Sequence, residues 1–331
     1  MAGRFDATIM TGALLLLPVL GACGSRPTPI SSPTPTPGAA SRSVETGISV
    51  RSVECVGITV SSTERLADFY EHVLAFREAV DPVRGGQSSE QPEGTPGPRF
   101  RRRKLDLGSE CVELIEPLGG SRRRIPDDSR SNDLWFQHVA IVVRDMDAAY
   151  ATLEANHVTH VSPVPQTLPA WNQNAANIRA YYFKDPDGHT LELLWFPPDK
   201  GQPRWHPPPG AGLFLGIDHT AIASGSTEAS LTFYVGRLGL HVVGRSDNFG
   251  PEQERLSGVP GAHVRITALR ADSGPGIELL EYLAPPGGRP IPRDERADDL
   301  THWRTVMTSD GVTARVALRD PDGHTMEIEP R

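Results

Sequence analysis

From about residue 50 onward the chain alternates apolar and polar positions in short runs, and the runs fall into an order that repeats. VECVGITV (53–60), FQHVAIVV (136–143) and GIDHTAIAS (216–224) each predict a strand with a buried face. A helical period follows each of them. In SSTERLADFYEHVLAF (61–76), Leu66, Phe69, Tyr70, Val73 and Leu74 form one apolar stripe, and Ser61 with Glu64 predicts a capping box. In DMDAAYATLEAN (145–156), Met146, Ala149, Tyr150 and Leu153 recur at helical spacing, and STEASLTFYVGRLGL (226–240) predicts a third helix. Strands then return: RFRRRKLDL and ECVELIEP, IRAYYFKD and HTLELLWF, HVRITALR and GIELLEYL. A Gly/Pro-rich insert (82–98) parts the first helix from its strands.

The last strand of each set breaks its own pattern. Glu113, Glu192, Glu278 and Glu327 each stand between large apolar neighbours. A carboxylate there is expensive unless it is paired, protonated or bound to a metal. Two of these strands leave the same turn, DPDGHTLEL (185–193) and DPDGHTMEI (320–328), an Asp-Gly turn feeding a strand.

The modules form two half-chains related by a repeat. Cys55 maps to His219 at an offset of 164, Glu113 to Glu278 at 165 and Ile125 to Ile291 at 166, and the linker IPDDSRSNDL (125–134) matches IPRDERADDL (291–300). The fourth module is short. From first-strand position to glutamate, the first three modules span 58, 54 and 59 residues, whereas His302 to Glu327 spans 25. About thirty residues, enough for a helix and one strand, are missing at a helical or strand rise.

Composition narrows the classes. At 331 residues the chain has room for two domains, and its net charge of -8 argues against a nucleic-acid partner. The runs RRRK (101–104) and RRR (122–124) read as solvated charge. Arg4 precedes an apolar run, Ala13 to Leu20, too short to span a bilayer. It ends in LGAC (20–23), which resembles the lipobox of bacterial lipoproteins. The resemblance implies a signal peptide over 1–23, acylation of Cys23, and a Pro/Ser/Thr-rich tether over 24–49. Gly24 after that cysteine favours outer-membrane sorting, so the expected address is the cell envelope, periplasmic or outer-membrane, with a lipid anchor. The two other cysteines, Cys55 and Cys111, are too few for a disulfide scaffold or a thiolate zinc cluster.

A strand, a helix bearing FY-x-x-x-L (69–74 and 233–238), three strands ending on an inward glutamate, and the recurring DPDGH-x-x-E resemble the vicinal-oxygen-chelate superfamily. That superfamily includes glyoxalase I, extradiol dioxygenases and bleomycin-resistance proteins. The resemblance implies an α+β fold of tandem βαβββ modules paired into two open barrels, the fourth module truncated. The expected domains are 50–200 and 212–331, each holding a divalent metal between the first and last strands of its two modules.

Carried over residue by residue, the first half offers Cys55, Glu113, His138 and Glu192, and the second His219, Glu278, His302 and Glu327. Cys55 could ligate as thiolate, be inert, or pair with Cys111. The ungapped linker match places Arg304, not His302, opposite His138, and Arg304 is the candidate for binding a substrate carboxylate. Imidazole and carboxylate suit zinc, nickel, iron or manganese. The resemblance implies a glyoxalase- or isomerase-type enzyme acting on a small oxygenated substrate through a metal-stabilised enediolate, with Glu327 as general base and Glu278 as its opposite number. The alternatives are an extradiol-type dioxygenase using His219, His302 and Glu327, and a non-catalytic small-molecule binding protein. The shortened module leaves a sheet face for the first half or a second copy of the chain, as in a homodimer, to cover.

Overall fold

Helix α1 (Thr63–Leu74) starts where Ser62 accepts a hydrogen bond from the Arg65 N–H, and it stops at Ala75 in the left-handed region. The expected Ser61–Glu64 box does not form. Ser61 instead donates its hydroxyl to Asp187 of the first DPDGH turn, at 2.8 Å. Module one consists of β1 (Val50–Thr59), α1, β2 (Arg77–Glu78), β3 (Phe100–Leu107) and β4 (Glu110–Pro117). Module two has β5 (Gln137–Val143), α2 (Met146–Ala155) capped by Asp145, β6 (Thr159–His160), β7 (Gln166–Thr167), β8 (Arg179–Lys184) and β9 (Thr190–Trp195).

Module three opens with β10 (Phe214–Ala223). Its expected single helix is α3 (Thr227–Leu231) passing into a π-helical turn, Thr232–Arg237, in which Phe233 and Tyr234 are both buried. It continues with β11 (His241–Phe249), a helix absent from the sequence reading, α4 (Pro251–Ser257), then β12 (His263–Arg270) and β13 (Gly276–Ala284). Module four is β14 (Trp303–Ser309), β15 (Val316–Arg319) and β16 (Thr325–Pro330), without helix or fourth strand. This computed structural model describes residues 48–79, 99–119, 122–286 and 288–331; the signal segment, Cys23, nearly all of the tether and the 82–98 insert lie outside the described residues.

The strands form two sheets. One runs β15-β16-β14-β1-β4-β3-β2, and the other runs β11-β12-β13-β10-β5-β9-β8-β6 with β7 on β8. Module one therefore shares a sheet with module four, and module two with module three. The expected pairing, one with two and three with four, is corrected by this topology. The two sheets are pseudo-equivalent: β1 and β14 run antiparallel with Gly57 opposite Arg304, and β10 and β5 run antiparallel with Ala221 opposite His138.

Each sheet has two faces, and the halves meet on the other one. Val56, Leu66 and Tyr70 of module one share a core with Val139, Ile141 and Phe183 of module two. Phe233, Tyr234 and Leu238 of module three likewise cover Met307, Met326 and Ile328 of module four. The outer face of the short module is thus covered within the chain. The DPDGH turns fasten these cores: Tyr70 donates to Asp185 at 3.4 Å, and Tyr234 to Asp320 at 3.0 Å.

The two linkers bridge the halves symmetrically. Arg123 reaches Asp299 at 2.9 Å and Asp294 at 3.0 Å, while Arg289 reaches Asp133 and Asp128 at 2.9 Å each. These partners are related by the 166-residue offset of the repeat, so each linker grips the other in the same way. The described residues fall within one compact unit, Val44–Arg331. None of their helices is long and apolar enough to cross a membrane.

Candidate metal centre

Four ligand-type side chains meet on one face of the nine-stranded sheet. The central strands β5 and β10 bring His138 and His219 together, with His219 level with Ala140 and His138 level with Ala221. Parallel neighbours add the carboxylates: Glu192 on β9 lies level with Ala140, and Glu278 on β13 with Ala221. The four come from the first and last strands of modules two and three. His138 Nε2 is 3.1 Å from Glu192 Oε2, and His219 Nε2 is 3.5 Å from both Glu192 and Glu278.

Those ring nitrogens are close to carboxylates without being aligned to donate to them. His138 Nδ1 and Nε2 and His219 Nε2 are buried with no hydrogen-bond partner. Orphaned imidazole nitrogens beside a carboxylate are costly as they stand. They fit the donor set of a divalent ion, and His138, Glu192 and His219 place their ligand atoms within 4.8 Å of one another.

The sequence reading missed the support behind His219. Its Nδ1 faces Asp218 Oδ2 at 3.0 Å, which turns Nε2 toward the cluster. Asp218 is held by two hydrogen bonds from Arg270, at 2.9 and 3.0 Å, and by Trp205 Nε1 at 3.1 Å. The signal lay in GIDHTAIAS, where a second charged residue precedes the histidine on a strand that is otherwise buried. Burial pushes the Asp218 carboxyl up, but His219 and Arg270 outweigh it and hold it well below the usual range. Burial likewise opposes charge on Glu192, yet the adjacent histidines hold its pKa at about 2. Glu278 is pushed up, chiefly by burial. Burial disfavours the charged His219 ring, but Glu278 and Asp218 raise its pKa well above the ordinary histidine value.

From this cluster opens a cavity of about 210 Å³. Its walls are largely apolar, with Leu168, Ile178, Leu194, Ile266 and Leu280 among them, and Tyr182 and Gln253 add polar groups. Such a cavity suits a small ligand with an apolar frame and a few oxygens at one end.

The corresponding face of the other sheet holds no such cluster among the described residues. Cys55 is joined to Cys111 by a disulfide across β1 and β4, with Cα atoms 5.0 Å apart. Arg304 lies 3.2 Å from Glu327, Arg315 lies 2.8 Å from the same carboxylate, and Glu113 is taken by Arg102 at 3.0 Å. A guanidinium thus stands among carboxylates, the charge arrangement a bound cation would otherwise supply. Gly57 makes room for it: a Cβ there would sit 2.4 Å from Arg304 Cγ. His302 faces Glu295 at 3.5 Å and is not part of this group.

The expected second-half set of His219, Glu278, His302 and Glu327 is therefore divided between two sheets, and so is the first-half set. Glu327, the expected base, and Arg304, the expected substrate-binding group, face each other at 3.2 Å.

Paired βαβββ modules with histidine and glutamate on their first and last strands define a vicinal-oxygen-chelate protein. The family model of the Glyoxalase/Bleomycin resistance protein/Dioxygenase superfamily matches residues 52–193 and 216–328, and the chain belongs to that superfamily. Among solved structures, glyoxalase I from Zea mays is 14% identical, with a TM-score of 0.55 over 85% of this chain and 92% of its own. A candidate dioxygenase from Bacillus subtilis is 15% identical, with a TM-score of 0.51 over 86% of each chain. At these identities the likeness is one of fold. No curated protein matches the chain in sequence.

Proposed function

We propose that the protein is a metal-dependent enzyme of the glyoxalase or isomerase type, with one working site between modules two and three. The observation that carries this reading is the convergence of His138, Glu192 and His219, with Glu278 beside them, at the end of a largely apolar cavity. A zinc, nickel, iron or manganese ion held there would polarise two substrate oxygens as a Lewis acid. The apolar wall holds the carbon frame and keeps water out. Tyr182, kept protonated by burial and by nearby Glu192, can donate to a substrate oxygen. Glu278, made more basic by burial, can take a proton from the adjacent carbon. The role first given to Glu327 passes to Glu278.

A second reading rests on the same cluster. Two imidazoles and one carboxylate are the set used by non-haem iron oxygenases. Glu278 is a fourth group which that set does not need, and this favours the isomerase.

The test loads the full chain with each of the four metals and follows deuterium exchange into hydroxyacetone by NMR. Exchange at the carbinol carbon is expected, and Glu278→Gln should remove it while keeping the metal. Catechol-dependent oxygen uptake by the iron form would favour the second reading. A loaded protein that binds these compounds and does neither reaction is a binding protein, which overturns the enzyme reading.

We also infer a lipid anchor at Cys23 outside the cytoplasm. LGAC (20–23) supports it, and so does the Cys55–Cys111 disulfide, which suits an oxidising compartment. Cys23→Ser should move the protein from the membrane fraction to the soluble one. A variant that stays membrane-bound and is processed normally would sink the idea.

A further inference from the structure

A second cavity, of about 220 Å³, lies where the first linker and the first DPDGH turn meet module four. No aspartate or glutamate lines it among the described residues, although acidic residues outnumber basic ones by 41 to 33 in the chain. Arg130 and Lys184 do line it, and neither the guanidinium nor the ammonium has an ion pair or hydrogen bond among the described residues, while the Arg130 backbone N–H donates to Asp133 at 2.8 Å. Asp127 is exposed and does not line the cavity, and four other acidic residues nearby in sequence already have partners. Asp128 and Asp133 are held by Arg289, Asp185 by His189, and Asp187 by Arg65.

The other donors point the same way. Thr190 and Thr301 line the cavity with no side-chain partner among the described residues. Ser129 accepts from Trp135 Nε1 at 2.8 Å, and this leaves its O–H free to donate. The histidines in the wall are occupied: His160 by Tyr181 and Glu154, His189 by Asp185 and the Leu300 carbonyl. Two buried tryptophans, Trp135 and Trp303, also line the cavity. Trp135 lies under the Arg289 guanidinium, 4.7 Å from ring centroid to charge, and Trp303 lies edge-on to His189.

We propose that this cavity binds a small oxyanion, a phosphate or carboxylate group, between Arg130 and Lys184 with the Ser129, Thr190 and Thr301 hydroxyls as further donors. Two uncompensated cations and several free hydroxyl donors, facing a volume without a competing carboxylate, make a site selective for negative oxygen. It is a different cavity from the metal centre and does not depend on the function proposed for it.

The test is isothermal titration of the metal-free full chain with inorganic phosphate, and separately with succinate, at constant ionic strength. Saturable one-to-one binding of at least one of them is expected, and the tighter of the two identifies the oxyanion. The Arg130→Gln, Lys184→Met double variant should bind at least tenfold more weakly, whereas Lys184→Arg should retain binding. A circular dichroism spectrum and urea midpoint unchanged from the wild type serve as the check that the double variant is folded. If the double variant does not fold, Arg130→Gln and Thr301→Val singly should each weaken binding severalfold. Absence of saturable binding in the wild type, or equal binding by variants and wild type, would overturn the proposal.

Discussion

His219 is the residue on which the candidate centre turns, because its two nitrogens face different chemistry. Nδ1 is fixed by Asp218, and Nε2 faces Glu192 and Glu278. Asp218→Asn keeps the shape but removes the charge behind the ring. Metal affinity should fall about 10–100-fold with the circular dichroism unchanged. A loss no larger than that of a surface Asp→Asn control would contradict the role given to Asp218. The raised pKa of His219 sets the direction of the pH dependence. The upward shift favours the protonated form of the metal-free ring, whereas a metal ligand must be neutral. Metal binding should therefore release a proton, and affinity should rise as pH increases through and beyond neutrality. Calorimetry in buffers of different ionisation enthalpy reads this proton count directly. An affinity flat between pH 6 and 8, with no proton released, would contradict the assignment.

Strand β1 shows what accommodating Arg304 demands of its neighbour. Gly57 sits in the middle of a buried strand, where glycine is ordinarily unfavourable. It is there because Arg304 crosses the space a Cβ would need. Gly57→Ala should destabilise the protein by roughly 1–3 kcal/mol, the usual cost of overpacking, measured as a lowered urea midpoint. A midpoint equal to the wild type would mean that Arg304 can lie elsewhere at no cost. Much of this was legible at the level of elements. The alternating runs located the ligand-bearing strands, and the inward glutamates marked their last members. The break of the third helix into a π-helical turn was not legible, and neither was α4, a short helix between two strands. Sheet pairing was hidden for a different reason. A repeat says which modules are alike, but the antiparallel partners of β1 and β10 lie in the other half-chain, as do the partners of Arg123 and Arg289, 156 to 176 positions away. His138, Glu192, His219 and Glu278 could all be named from sequence, but their convergence could not.

At the scale of the whole molecule the described residues lie in one compact unit built from two exchanged halves. The halves share cores on their helix-covered faces and trade partners on their open faces. One open face gathers histidines and carboxylates around a cavity, and the other holds Arg304 with Glu327, Arg315, Glu113 and Arg102, and a disulfide. The central claim is that this arrangement leaves one metal site per chain, formed between modules two and three. Elemental analysis of the purified full chain, after loading with zinc and removal of excess, tests it most directly. The account predicts one ion per chain in the wild type, none in the His138→Ala, His219→Ala variant, and still one in the Glu113→Gln, Glu327→Gln variant. Two ions per chain, or an ion that survives loss of both histidines and disappears with Glu113 and Glu327, would contradict it.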